Sequence, residues 1–208
     1  MKPSVEAVPV TAQMSRLLAE MREIYRSGDL RRAERLCSDA LASHGDWPEA
    51  SNLLAQILLR SRRQQQALRL AQRCVDMQPG VAVFHDTLAA ALSATGQHAE
   101  ALREIDRCVE LAPRFGATHA LRGRILDRLG RPEEAADAYQ RALAYPDTAE
   151  AAVVYTRLGT ARMNSGDLDA AEAAFRQALA LDKDLADARR GLAQVGQRRE
   201  ISHTHVNA

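Results

Sequence analysis

Small and apolar residues return along this chain at helical spacing, most clearly toward its C-terminal end. There Tyr155, Leu158 and Gly159 are followed by Arg162, and Ala171, Phe175 and Ala178 recur at steps of four and three residues. Such spacing places each set on one face of an α-helix. Between the two stretches lies Ser165-Gly166-Asp167. Glycine readily takes the left-handed backbone that closes a helix, and aspartate accepts hydrogen bonds from the orphan N–H groups that open the next one. The pattern predicts a helix, a tight turn and a second helix.

The same phrase is written twice. "SGDLDAAEAAFRQAL" at 165–179 echoes "SGDLRRAERLCSDAL" at 27–41. An alanine falls five residues after each turn position, Gly28, Arg62, Gly96, Gly130 and Gly166, giving the ladder Ala33, Ala67, Ala101, Ala135 and Ala171 with steps of 34, 34, 34 and 36 residues. A fixed period between about 20 and 50 residues is the signature of stacked repeats. Five copies are predicted, at 14–47, 48–81, 82–115, 116–149 and 152–185, with two residues inserted near Thr148 and Glu150. The segment "LADARRGLAQVGQRRE" then repeats only the first half of the unit, with Leu192 and Ala193 at the Leu-Gly positions. Its other faces carry Asp187, Arg189, Arg190, Gln194 and Arg198. A stack of repeats needs a polar helix to close its open end, so 186–200 is predicted to be that cap. Residues 1–13, with Pro3 and Pro9, and residues 201–208 are expected to be frayed ends.

A 34-residue helix–turn–helix unit with small residues at fixed offsets resembles the tetratricopeptide repeat, whose pattern runs W-x₂-L-G-x₂-Y, then A-x₃-F, then P. Tyr155, Leu158, Gly159, Ala171 and Phe175 fit it in the last copy, and Gly123, Ala135 and Tyr139 in the fourth. Leu88, Ala89, Ala101 and Pro113 carry it in the third, and Leu54, Ala55, Ala67 and Pro79 in the second. The first copy is the most degenerate, with Met21 at a small-residue position and Gly45 at the proline position, while Ala33 and Ala40 remain. The resemblance implies an all-α fold, a right-handed α-solenoid of five helix–turn–helix units plus the capping helix. It also implies a non-catalytic scaffold or adaptor that binds a peptide segment of a partner protein in a concave groove. The alternative is a recognition arm of a larger activity, such as a glycosyltransferase, a sulfotransferase or a secretion machine.

Composition narrows the partners. Charged residues make up 26% of the chain, aromatic residues 4%, and the formal net charge is +1. No basic excess is available to hold a phosphate backbone, so nucleic acid is not expected as a partner. No run approaches the ~18 apolar residues of a membrane-spanning helix, and "MKPSVEAVPVTAQ" lacks the apolar core of a signal peptide. No membrane insertion and a cytoplasmic location are the expectations.

Cys74 and Cys108, with His85 and His119, look at first like a ligand set for zinc. Both pairs are 34 residues apart, so they are the same positions in adjacent copies. The two cysteines stand where other copies have Ala40, Ala142 and Ala178, and the histidines stand at the aromatic position of the first helix. They read as packing residues, as does Cys37 at the aromatic position of the first copy's second helix. His203 and His205 form an H-x-H without further ligands. No phosphate-cradling loop, nucleophile elbow or H-E-x-x-H helix occurs, so neither catalysis, a metal nor a cofactor is expected.

In the family that the repeat resembles, the first helix of each unit lines the groove. The corresponding stripe here is Leu18, Arg22 and Tyr25, then Asn52, Gln56 and Leu59, then Asp86, Ala90 and Ser93. It continues with Ala120, Arg124 and Asp127, then Thr156, Thr160 and Met163, and ends on Arg190 and Gln194. Arg26, Arg60 and Arg128 flank it. Candidate partner-binding residues are Arg22, Tyr25, Arg26, Asn52, Gln56, Arg60, Asp86, Arg124, Asp127, Arg128 and Arg190. Arginine grips carboxylates bidentately, which favours an acidic partner segment. The Lys/Asn/Lys/Arg clamp by which some family members hold a chaperone C-terminus is absent, since Leu18, Arg22, Leu53, Asp86 and Ala90 occupy its positions.

Overall fold

Eleven α-helices and no strand are found among the described residues, which are 10–145 and 150–206 of a computed structural model, with side chains described for 12–145 and 150–201. The helices are α1 (Val10–Arg26), α2 (Leu30–His44), α3 (Pro48–Arg60), α4 (Gln64–Met77), α5 (Ala82–Ala94) and α6 (His98–Leu111). They continue as α7 (Gly116–Arg128), α8 (Pro132–Leu143), α9 (Ala151–Asn164), α10 (Leu168–Leu181) and α11 (Ala186–Val206). The fold class is all-α, built of the helix pairs that the alanine ladder requires. The chain divides into two compact units, Met1–Thr95 and Gly96–Ala208, with the division inside the third copy. In the first unit each helix packs on the next, and α3 also touches α1 and α5. In the second, neighbour packing runs from α6 to α11, and α9 also touches α11.

Both ends depart from the expected boundaries. α1 starts at Val10, inside the stretch expected to be frayed, and α11 runs to Val206, past the expected end of the cap at 200. No glycine or proline lies between Val10 and Arg26, and no proline follows Ala186, so nothing in the local sequence stops either helix. The inserted residues near Thr148 and the side chains of His203 and His205 lie outside the described residues.

One contact recurs where the two helices of a copy cross. In the last copy Phe175 of α10 is fully buried, and a Cβ added at Gly159 of α9 would come within 2.8 Å of its ring. A Cβ at Gly191 of α11 would come closer still to the same ring from the other side. The ring thus lies against two bare backbones. Tyr139 of α8 takes the same place against Gly123 of α7, where an added Cβ would stand 2.6 Å away. The first copy inverts the volumes, with Met21 and Cys37 both fully buried in one cluster. The second fills the same positions with Ala55 and Ala71, also fully buried. At native packing density a large side chain on one helix requires a small one on the other. The sequence pattern placed Ala193 of the cap at the small position, but it is exposed and Gly191 makes the contact. Among the described residues no helix follows α11 for Ala193 to face.

The cap is held by more than that ring. Ala188 and Val195 are buried beside Phe175 and Met163. Arg198 donates from Nη1 to the Met163 carbonyl at 2.8 Å, and Arg199 pairs with Glu172 at 2.6 Å and with Asp169.

The turns repeat one geometry. Gly28, Gly96, Gly130 and Gly166 all have positive φ, and so does Arg62 at φ 59°. Arg62 N–H bonds to the Leu59 carbonyl and Arg63 N–H to the Leu58 carbonyl, as Gly166 and Asp167 do to Met163 and Arg162. These paired bonds satisfy the last carbonyls of the helix and force the left-handed residue between them. Asp29 and Asp167 then cap the following helices through Oδ1, to Arg32 N–H at 3.1 Å and Ala170 N–H at 3.0 Å.

The cysteines and histidines sit in the core. Cys37 and Cys74 are fully buried and Cys108 nearly so. Cys74 Sγ donates to the Pro48 carbonyl at 3.4 Å. Burial pushes the Cys37 thiol up to about 12, with Glu34 adding to it, and the Cys74 thiol up to about 11. His85 and His119 each bond through Nε2 to the carbonyl of the proline six residues earlier, Pro79 at 2.9 Å and Pro113 at 2.8 Å. Each imidazole thereby ties the start of its helix to the preceding turn.

Three outcomes follow from this packing. Arg62→Gly removes roughly 1 kcal/mol of left-handed strain and should raise the melting temperature; an unchanged or lower value would contradict that account. Gly191→Ala should cost about 1–3 kcal/mol by overpacking, although alanine is the better helix former. Combination with Phe175→Leu should recover part of the loss, measured by urea denaturation. The native thiols should be silent to a disulfide reagent at mildly alkaline pH and react only on denaturation.

Candidate partner-binding site

The first helix of each copy presents its stripe differently in the two units. In the first unit much of the polar chemistry is already engaged. Arg60 lies over the Tyr25 ring, 4.9 Å from its centroid, and donates from Nη1 to the Tyr25 carbonyl at 3.1 Å. Gln56 donates from Nε2 to Thr87 Oγ1 at 3.2 Å. Asn52 is only 5% exposed, which makes it part of the wall beneath the stripe. Arg22 and Arg26 are exposed, Arg26 with Glu23 as ion partner, while Asp86 is half-buried.

The second unit holds the clearer concavity. A cleft of about 410 Å³ opens between α9 and α11. Thr156, Thr160 and Gln194 supply hydrogen-bonding edges, Val153, Met163 and Leu185 supply apolar surface, and Arg157, Arg190 and Asp187 supply charge of both signs. The repeat register explains the arrangement. Thr156 and Thr160 stand in α9 where Arg190 and Gln194 stand in α11, so the two stripes face one opening. Arg190 pairs with Asp187 one turn earlier, and both side chains are well exposed. On the other side of α9, a second cavity of about 360 Å³ is lined by Asp127, Gly130, Arg131, Pro132, Thr160 and Asn164. Thr160 lines both.

Asp127 joins these features to the core. The Tyr139 hydroxyl donates to its Oδ2 at 2.5 Å. Burial, with Asp127 nearby, pushes the Tyr139 phenol well up. Burial also raises the Asp127 carboxyl above its ordinary value, while Tyr139, Arg157 and Arg128 pull the other way. Asp127 is therefore committed to an internal contact, and is not the exposed acidic group that its place in the stripe suggests. Arg124 and Arg128 remain at the surface of α7.

Of the stripe positions, Thr156, Thr160, Met163, Arg190 and Gln194 gather around one opening, and Arg157, which the stripe omits, joins them. The signal for Arg157 was present in the register. It occupies the position held by Leu53, Thr87 and Leu121 in earlier copies and by Gly191 in the cap. A charge at a position otherwise apolar, small or hydroxylic marks a change of use. Among the described residues no group of three or more His, Cys, Asp or Glu side chains is placed to hold a metal, and no helix is long and apolar enough to cross a membrane.

Comparison with known proteins agrees with the helix pairs. Tetratricopeptide repeat models match residues 18–82 and residues 116–145 and 152–185, together more than half of the chain. Among solved structures, a thermophilic tetratricopeptide repeat protein of Thermus thermophilus is 24% identical with a TM-score of 0.69, over 87% of this chain and 97% of that one. MamA of Desulfovibrio magneticus RS-1 is 19% identical with a TM-score of 0.67, over 83% and 96%. YrrB, described as a tetratricopeptide repeat protein with an unusual peptide-binding site, is 18% identical with a TM-score of 0.67, over 79% and 84%. At these identities the likeness is one of fold. No curated protein matches. With its 34-residue period, its helix pairs and these matches, the chain belongs to the tetratricopeptide repeat family.

Proposed function

We propose that this protein is a non-catalytic interaction scaffold that binds an acidic peptide segment of a partner protein on the first-helix face. The observation that carries the reading is the α9–α11 cleft, where hydroxyl, amide and apolar groups converge on one opening with two guanidinium groups and the Asp187 carboxylate. Repeat stacks use such extended surfaces for partners. Arg124 and Arg128 on α7, Arg157 on α9 and Arg190 on α11 give the second unit's face four exposed cations. Opposite charge on the partner accelerates encounter, and salt weakens that attraction.

A photo-crosslinking amino acid placed at Thr160 should join the protein to its captured partner, and the same group placed at Gln177, on the exposed side of α10, should not. Capture should fall as ionic strength rises. Equal crosslinking from both positions would remove the first-helix face from consideration.

A further inference from the structure

The exposed faces of the second helices carry a charge pattern that neither the core nor the first-helix stripe uses. In each of these helices three positions, spaced by four residues, share one face and fall in the same column of the repeat. In α2 the column is Arg31, Arg35 and Asp39, and in α8 it is Glu133, Asp137 and Arg141. All six residues are exposed. The signs read plus, plus, minus on α2 and minus, minus, plus on α8, so every charge of one column meets its opposite when the two helices lie parallel and in register.

Other pairings are poorer. In an antiparallel arrangement Arg31 would face Arg141 and Asp39 would face Glu133. The columns of α4 and α6 end on Arg73 and Arg107, which would face Arg141, and the column of α10 has a charge only at Asp169. A column set against its own copy brings like charges together in either direction, at all three positions when parallel and at Arg35 or Asp137 when antiparallel. The α2 column also borders a depression of about 520 Å³, lined by Arg31, Glu34, Arg35, Ser38 and Asp39, in which Glu34 is held by Arg63. Among the described residues no ion pair holds Arg31, Arg35, Asp39, Glu133 or Arg141, and Asp137 lies 3.6 Å from Arg162. A formal net charge of +1 sets up little long-range repulsion between copies.

We propose that the exposed face of α2 binds the exposed face of α8 of a second copy of this chain, parallel and in register, pairing Arg31 with Glu133, Arg35 with Asp137 and Asp39 with Arg141. Exposed ion pairs contribute little individually, so the contact is weak and salt-sensitive, and its sign pattern supplies the specificity. It uses none of the residues that line the α9–α11 cleft and does not depend on the reading of that cleft.

Sedimentation equilibrium of the full chain reads this association directly, over a range of protein concentrations in about 0.01 M and about 1 M salt, between which the screening length falls from roughly 30 Å to 3 Å. The average mass should rise with protein concentration at low salt and stay at that of one chain at high salt. Arg31→Glu/Arg35→Glu and Glu133→Arg/Asp137→Arg should each weaken the low-salt association at least about tenfold. An equimolar mixture of these two variants should regain it, because an all-acidic α2 column then meets an all-basic α8 column. That recovery also shows that both variants are folded. Arg103→Glu/Arg107→Glu, an equal change of net charge on α6, should associate like the unsubstituted chain. A chain that stays single at low salt, or that associates equally at both salt concentrations, would overturn the proposal. So would equal dissociation by Arg103→Glu/Arg107→Glu, or a mixture of the two variants that remains dissociated.

Discussion

The fit between a large side chain on one helix and a bare or small position on its partner is the constraint on which the rest of this structure depends. Phe175 against Gly159 and Gly191, and Tyr139 against Gly123, leave no room for even one added carbon. Close helix approach follows, because packed axes separate in step with the side chains between them. Met21 with Cys37 in the first copy and Ala55 with Ala71 in the second show that the two positions accept other residues when neither helix carries a large ring there.

That fit also fixes what is left over for function. The second helices bury their alanine ladder and, in the last two copies, one large ring each, while the first helices carry the stripe, part of which lines the α9–α11 cleft. Where the large residue is a tyrosine, its hydroxyl must find partners as the ring goes under. Tyr139 finds Asp127 in its own copy. A packing decision in the core thereby engages a carboxylate that lines the cavity beside α9. Phe175, which has no hydroxyl, makes no such demand.

Much of this was legible in the residues, though unevenly. The period, the turns and the helix pairs could be read because Gly28, Gly96, Gly130 and Gly166 answer a local backbone requirement that glycine alone meets easily. Arg62 could be read too, as the copy where the requirement persists without the glycine. The bland role of the cysteines followed from their register. The helix ends did not, since Val10–Gln13 and Ile201–Val206 contain neither breaker nor strong cap. The register brings Thr156, Thr160, Met163, Arg190 and Gln194 of the stripe to one opening. The place of Asp127 in the stripe says nothing of the tyrosine hydroxyl reaching it from the neighbouring helix.

The sequence by itself determined the repeat and its helix–turn–helix content. These rest on local rules of turn chemistry and helical spacing that act within a few residues. Only the tertiary structure decided which stripe positions are open, which are wall and which are already bonded. Gly191 rather than Ala193 meets Phe175, Asn52 lies beneath the surface, and Asp127 is tied to Tyr139, because each outcome depends on side chains brought together from different helices.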